Sequence, residues 1–124
     1  MKIVSTDGAP SAIGPYSQGM VSGGLAYTSG QIALVPETGE MAVGGISEQA
    51  ERAILNVKAV LEAAGTELGR VVKATCFLSD MCDFAAFNAV YERYFPGKPA
   101  RSCVAALALP RGALVEIEAI AEMP

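Results

Sequence analysis

The feature that most constrains this fold is a pair of charged residues inside two apolar, strand-like runs near the C-terminus. Arg101 lies in the run 100–107, and Glu116 lies in the run 114–121. A charge is stable in such surroundings only where it is paired, hydrated or bound to a ligand. The fold must therefore place both charges where a partner or a cavity can receive them.

Each of the two charges has two interpretations. The Arg101 guanidinium can form two parallel hydrogen bonds to a carboxylate ligand, or it can join an ion pair within or between chains. Glu116 can be a general acid/base that positions water, or half of an ion pair. Because successive residues of a strand point to opposite faces, Arg101 shares a face with Cys103 on the first strand, and Glu116 shares a face with Glu118 on the second. On the residues alone, structural ion pairs are the commoner outcome.

Length and composition predict one domain, residues 1–124, with a surface that another subunit covers. The 124 residues are 52% apolar and only 18% charged, whereas about a quarter of an average domain is charged. An apolar patch on a monomer would explain this shortage of polar surface equally well.

Charge and hydropathy exclude several classes of partner. The net charge of −4 and a pI near 4.7 disfavour a protein that binds the phosphates of nucleic acid. No apolar run reaches membrane-spanning length, and the N-terminus lacks the pattern of a signal peptide. We expect a cytoplasmic protein with neither a membrane nor a nucleic-acid partner.

The chain contains no histidine, which excludes Ser-His and Cys-His nucleophile pairs and removes the commonest metal ligand. Cys76, Cys82 and Cys103 have neither zinc-site spacing nor an even number for a disulfide framework, so reduced thiols and no metal are expected. Cys103 is more simply a small buried side chain than a nucleophile, because no activating group is evident.

The N-terminal part predicts three strands and a loop. A strand covers 2–5, and the loop 13–19 presents Tyr16 because Pro15 and its flanking glycines prevent regular structure. Runs 18–22 and 25–32 form a hairpin around Gly23-Gly24. Gly30, inside the second run, indicates either a bulge or a group that approaches the backbone closely.

Two helices follow. The first is capped by Ser47, ends at Gly65, and has apolar residues at helical spacing; these are Ala50, Ala53, Ile54, Val57, Val60, Leu61 and Ala64. The second is capped by Asp80 or Asp83 and ends near Phe95. Its stripe is aromatic, which is typical of core: Phe84, Phe87, Tyr91 and Tyr94. Asn88 faces either a pocket or solvent.

The strand 71–78 lies between the helices, and its residues Val72, Ala74, Cys76 and Leu78 are expected on a fully buried face. The order βββαβαββ predicts a single mixed sheet with two helices on one face. The other face also carries apolar side chains, which favours an oligomer.

Six segments of the chain, in this order, resemble the Rid/YjgF family of reactive-intermediate imine deaminases. The most specific are Arg-Ser-Cys-Val and Glu-Ile-Glu-Ala, within the last two of the following: Gly14–Gln18, Thr28–Gln31, Asn56–Gly65, Asp83-Phe84 with Asn88 and Tyr91, Pro99–Val104 and Val115–Ala119.

The resemblance implies a chorismate-mutase-like α+β fold and a homotrimer with a central barrel-like core and active sites between subunits. It also implies cofactor-independent hydrolysis of 2-imino acids, such as 2-iminopropanoate and 2-iminobutanoate, to 2-oxo acids and ammonia. Pyridoxal-phosphate enzymes release such imines. In this family Arg101 would bind the substrate carboxylate and Glu116 would position water. The expected pocket residues are Tyr16, Ser29, Gly30, Asn88 and Cys103.

Two other functions remain open for a chain of this kind. The first is a trimer that binds small carboxylates for regulation, without turnover. The second is a ribonuclease or translation inhibitor, which the negative charge and the lack of histidine disfavour.

Overall fold

The chain folds as one mixed six-stranded sheet with two helices. The computed structural model describes all residues from Met1 to Pro124. The strand order is β1-β2-β3-β6-β4-β5, and only the β4–β5 pair is parallel. This confirms the α+β class, the single mixed sheet and the order of the elements, which are β1 (Lys2–Val4), β2 (Gly19–Ser22), β3 (Leu25–Thr28), α1 (Ile46–Ala64), β4 (Val71–Leu78), α2 (Phe84–Tyr94), β5 (Ala100–Ala105) and β6 (Val115–Glu122).

The core lies between the two helices and one face of the sheet. Alternate residues of β6 are buried, and they join a cluster of 22 buried side chains that includes the apolar stripe of α1 and, from the stripe of α2, Phe87 and Tyr91; Phe84 and Tyr94 pack against it. Successive strand residues point to opposite faces, so the intervening residues of β6 lie on the face without helices. Glu116 is one of those residues.

Helix α1 begins two residues earlier than the sequence predicts. Its N-cap is Gly45 rather than Ser47, and the Gly45 N–H donates to Glu48 Oε1 at 2.7 Å. The carboxylate thus takes up a free donor at the helix start, which leaves no capping role for the Ser47 hydroxyl. The predicted end is confirmed, because Gly65 adopts the left-handed conformation with φ of 98°.

Helix α2 follows a short 3₁₀ turn, Met81–Asp83. Asp80 caps this turn by accepting from the Cys82 N–H, whereas Asp83, at the N-cap of α2 itself, forms no side-chain cap. The aromatic stripe is core as expected. Phe87 and Tyr91 are buried, and the Tyr91 ring stacks on Phe95 with centroids 4.4 Å apart.

Strand β4 contains a bulge that the sequence does not reveal. Val71 pairs with Ala121 and Lys73 pairs with the adjacent Ile120, so Val72 is the extra residue. The bulge turns Val71 inward and leaves Val72 43% exposed, contrary to the expected alternation. Beyond the bulge, the predicted buried residues of β4 are in the core, with Cys76 fully buried.

Strand β3 is shorter than predicted, because it ends at Thr28 rather than continuing to Ile32. The chain leaves the ladder at Ser29 and Gly30, and it rejoins β6 only through Gln31, whose N–H and C=O both bond to Ile117. Strand β4 has the predicted bounds, and the ends of the other strands lie within two residues of the predicted ones.

The face of the sheet without helices keeps apolar side chains at its surface. Tyr27 on β3 is 38% exposed and Val104 on β5 is 48% exposed. These residues fit the expected subunit contact, and the trimer itself stays a prediction. Neither helix has the length and hydropathy needed to cross a lipid bilayer.

Candidate active site

Arg101 and Glu116 lie on opposite faces of the sheet. Arg101 pairs with Ala74 of β4, which is buried under the helices. Glu116 pairs with Phe77, three residues further along β4 and therefore on the other face. The two ion pairs of the chain, Lys58–Glu62 and Arg93–Glu51, involve neither residue. Within one chain, therefore, the two charges do not meet, and neither is an intrachain structural ion pair.

Glu116 faces a cavity of about 310 Å³ that also contains Tyr16 and Gly30. A Cβ atom on Gly30 would collide with Glu116 Oε2 and lie 2.9 Å from its carboxyl carbon. The glycine therefore allows the backbone to touch the carboxylate. The remaining lining residues are Pro10, Ser11, Ile13, Gln18, Gln31, Ile32, Leu34, Pro110 and Arg111.

The surroundings of Glu116 favour its protonated form. Burial, and secondarily the nearby negative charge of Glu118, raise the pKa of the Glu116 carboxyl above its ordinary value. Arg111 lines the same cavity, but its Nη1 atom donates to the Gly39 carbonyl rather than to Glu116. A carboxyl with a raised pKa and no fixed ionic partner is suited to taking up and returning a proton.

The side chain of Gln18 holds the loop that carries Tyr16 in place by hydrogen bonds. Its side-chain oxygen accepts from the Thr6 N–H at 2.7 Å, and its Nε2 atom donates to the carbonyls of Thr6, Ala9 and Pro10. These bonds fold residues 6–10 onto the start of β2 and leave Tyr16 half-exposed at the cavity. Nothing in the sequence pattern indicates this role, because a glutamine next to a glycine carries no periodic signal.

Arg101 is held by helix α2. Its Nη1 atom donates to Asn88 Oδ1 at 2.8 Å, and its guanidinium carbon lies 4.7 Å from the centroid of the Tyr91 ring. The rings of Phe84 and Phe87 are within 6 Å as well. Asn88 therefore faces Arg101, and its oxygen is committed to the guanidinium. Arg101 lines a second cavity of about 340 Å³, together with Asn88 and Tyr91.

Cys103 follows Arg101 on the same face of β5 and pairs across the strands with Cys76. Burial raises the pKa of both thiols, to about 12 for Cys76. All three cysteines are free. Because the thiolate is the nucleophilic form, these surroundings favour the predicted small, unreactive side chains.

Ser29 does not line the Glu116 cavity. Its hydroxyl donates to the carbonyl of Ser17, which ties the end of β3 to the Tyr16 loop. No cluster of three or more carboxylate or thiol side chains has an arrangement that could hold a metal ion.

The predicted site residues thus form two groups. Tyr16, Gly30 and Glu116 share one cavity, whereas Arg101 and Asn88 border another and Cys103 lies beside Arg101. The first group offers a proton-exchanging carboxyl beside exposed backbone. The second offers a pre-oriented guanidinium, the group that best binds a planar carboxylate.

Two relatives and a family model match nearly the whole chain. The family model described as Endoribonuclease L-PSP matches residues 6–123. A mouse protein named 2-iminobutanoate/2-iminopropanoate deaminase is 48% identical over 121 residues, covering 97% of this chain and 90% of that protein. A Lactococcus lactis protein named as a candidate regulator, AldR, is 47% identical over 124 residues, covering 99% and 98%.

Solved structures agree with these matches. A Thermotoga maritima protein described as a candidate endoribonuclease has a TM-score of 0.97 at 51% identity, covering 100% of this chain and 98% of that one. Escherichia coli TdcF, solved with bound serine, has a TM-score of 0.95 at 44% identity, and each chain is covered completely. The chain therefore belongs to the Rid/YjgF family, to which the L-PSP family model corresponds.

Proposed function

We propose that this protein hydrolyses reactive 2-imino acids to 2-oxo acids and ammonia. The names of relatives from mouse, cattle and Salmonella, each 47 or 48% identical, support this activity. The observation that carries the proposal is Glu116: a partly buried carboxyl with a raised pKa and no ionic partner, packed on the Gly30 backbone inside a cavity.

In the proposed reaction, Glu116 holds a water molecule against C2 of the substrate. An imine carbon is already electrophilic, so an oriented water adds to it without a covalent nucleophile. Glu116 takes the proton as the water oxygen bonds to C2, and the C=N π electrons move to nitrogen. Glu116 returns this proton to the nitrogen and then relays the hydroxyl proton to it as well, so the C–N bond breaks with ammonia as the leaving group and the C–O bond becomes the carbonyl of the 2-oxo acid.

Arg101 would bind the carboxylate of the substrate. Its guanidinium has a fixed orientation on Asn88 and Tyr91 but no carboxylate partner within the chain. Since Arg101 and Glu116 lie on opposite faces of one sheet, we propose that a complete site combines Glu116, Gly30 and Tyr16 of one protomer with Arg101, Asn88 and Cys103 of a neighbour in a homotrimer with a central barrel-like core.

The direct test is an assay in which an amino-acid oxidase or threonine dehydratase generates the imine in place. We expect the wild-type protein to accelerate 2-oxo acid release. We expect Arg101→Ala to lower kcat/KM by about 10²- to 10⁴-fold, because two charge-assisted hydrogen bonds are worth about 1.5–3 kcal/mol each.

The matched control is Arg93→Ala. Arg93 forms an exposed ion pair with Glu51, away from both cavities, so its removal should leave the rate unchanged. A wild-type protein that does not accelerate hydrolysis would refute the deaminase. An Arg101→Ala variant as active as the wild type would refute the role of Arg101.

The second candidate is a regulatory protein that binds a small carboxylate without turnover. The name of AldR and the serine bound to TdcF favour it. Calorimetric titration with a stable 2-oxo acid separates the candidates. Saturable binding that Arg101→Ala abolishes, together with no imine hydrolysis, would establish the second function in place of the first.

The description of the family model raises a third activity, cleavage of RNA. The net charge of −4 and the lack of histidine disfavour it. RNA cleavage by the purified protein that disappears in Glu116→Gln would support it.

A further inference from the structure

Asn56 is a fully buried polar residue on helix α1, with 0% exposure. Its Nδ2 atom donates to the carbonyl of Ile32 at 3.1 Å and to that of Leu34 at 2.9 Å. Its Oδ1 atom has no hydrogen-bond partner. The only hydrogen bonds of this side chain therefore join α1 to the chain segment that follows Gly30.

That segment, residues 30–34, forms one wall of the Glu116 cavity. Gly30, Gln31, Ile32 and Leu34 all line it. The segment has left the strand ladder, and Gln31 with its two bonds to Ile117 is its only backbone link to β6. Asn56 thus supplies the attachment on the helix side, one to three residues beyond that link.

We propose that Asn56 is a positioning residue for Glu116. By tying the carbonyls of Ile32 and Leu34 to α1, it presses the 30–34 segment against β6, keeps the Gly30 backbone packed on the Glu116 carboxylate, and excludes water from that side. The catalytic consequence rests on the deaminase function proposed above, whereas the structural one does not.

Few other charged or titratable groups face Glu116. Glu118 lies two residues along β6 on the same strand face, and Tyr16 and Arg111 line the same cavity. On β4, the facing partner is Phe77, and the charged residue of that face is Lys73, whose ammonium contacts Ser102. Burial is the largest cause of the raised Glu116 pKa, so loosening the Gly30 wall should lower it.

The test compares Asn56→Leu, which has nearly the shape of asparagine and lacks the amide donors, with the wild type. The first measurement follows the Glu116 carboxyl by ¹³C NMR during a pH titration, with Glu116→Gln used to assign the signal. We expect the titration midpoint to fall toward that of an ordinary glutamate. In the imine assay we expect kcat to fall by about 10²-fold, the cost of displacing a catalytic group by about 1 Å, with KM little changed.

The matched control is Thr66→Val. Thr66, two residues beyond the end of α1, also donates to a backbone carbonyl, that of Glu122, and it is buried and does not line the cavity. Its substitution should lower stability and leave the Glu116 midpoint and kcat as in the wild type. Should Asn56→Leu fail to fold, Asn56→Ala, in which water can replace the amide, is measured in the same way.

An unchanged Glu116 midpoint in the folded Asn56 variant would overturn the proposal, as would an equal change in Thr66→Val. The NMR titration needs no substrate. If the wild type proves not to be a deaminase, the titration still decides whether Asn56 controls Glu116.

Discussion

Gly30 determines the shape of the candidate site through the side chain that it lacks. The Glu116 carboxylate occupies the space that a methyl group on residue 30 would fill. The sequence pattern indicates either a close approach or a bulge here. The structure shows the close approach, by the Glu116 carboxylate, and β3 ends at Thr28 without a bulge at Gly30.

Gly30→Ala should therefore displace the Glu116 carboxylate and leave the fold intact, because the far end of a flexible side chain can move. We expect kcat for imine hydrolysis to fall by about 10²-fold. The control is Gly97→Ala, at a position where a Cβ atom meets nothing within 4 Å and where φ is not positive. Equal kcat values in the two variants would show that the Gly30 contact does not matter.

The raised pKa of Glu116 also predicts a cost in stability. Because burial raises the pKa in the folded state, the folded protein holds this proton more tightly than the unfolded chain does. The stability that this provides is complete below about pH 4, the ordinary range of glutamate, and is lost as the pH rises through the folded-state pKa. This candidate catalytic carboxyl is thus held at the expense of stability in neutral solution.

Glu116→Gln should remove that dependence. In thermal melts we expect Tm of the variant to exceed that of the wild type at neutral pH, and the difference to vanish in acid. If the wild type has the higher Tm at neutral pH, the ionised carboxylate has a stabilising partner and its environment is not the one described here.

A sequence points to a candidate functional residue where a polar or charged side chain interrupts an apolar pattern. Arg101 and Glu116 stand out because each interrupts an apolar strand. Asn56 gives a weaker signal of the same kind, since it falls on the apolar stripe of α1 beside Val57 and Val60. Gln18 gives none, because its four hydrogen bonds join segments whose proximity only the fold creates.

At the scale of elements, helix α2 orients the guanidinium of strand β5. Asn88 and Tyr91, three residues apart on one face of α2, contact the same side chain from two directions. The aromatic stripe that the sequence assigned to the core therefore also supports a candidate functional residue. Burial raises the pKa of Tyr91 to about 12, and its buried hydroxyl has no partner.

Two substitutions separate the ring of Tyr91 from its hydroxyl. Tyr91→Phe keeps the ring beneath Arg101 and should preserve KM for the imine. Tyr91→Leu removes the cation–π contact, worth about 1–2 kcal/mol in a desolvated site, and should raise KM by about 5- to 30-fold. A larger effect of Tyr91→Phe than of Tyr91→Leu would assign the hydroxyl, rather than the ring, to substrate binding.

The spacing of hydrophobic residues predicts whether a segment forms a helix or a strand. Where that helix or strand ends depends on contacts with residues that are distant in the sequence. Both helices and all six strands are where alternation and helical spacing predict them. Strand β3 ends two residues before Gly30, which packs against the carboxylate of Glu116, 86 positions later, and the exposure of Val72 comes from a bulge against β6. In both cases the contact lies outside the strand concerned.

At the scale of the whole molecule, the register of β4 with its two neighbours separates the candidate catalytic groups. Periodicity could place Arg101 and Glu116 on a face of their own strands, but it could not relate those faces. The pairings Ala74–Arg101 and Phe77–Glu116 put them on opposite sides of one sheet. The apolar residues on the open face, Tyr27 and Val104 among them, fit a cover provided by other subunits.

Mixing two inactive variants tests whether sites form between chains. Arg101→Ala and Glu116→Gln are unfolded together in equal amounts and refolded. If each site takes Glu116 from one protomer and Arg101 from the next, random assembly restores about a quarter of the sites. Each variant refolded alone is the control. A mixture no more active than those controls would place both groups of a working site in one chain.

If each site combines Glu116 of one protomer with Arg101 of the next, as proposed, the activity per molecule depends on the protein concentration. A single chain would then hold no complete site, so dilution below the assembly constant should abolish the activity without unfolding the chain. For the same reason, a chain lacking both charges would impair two sites by joining one assembly. Such a defect would act dominantly in a cell that also makes the normal chain.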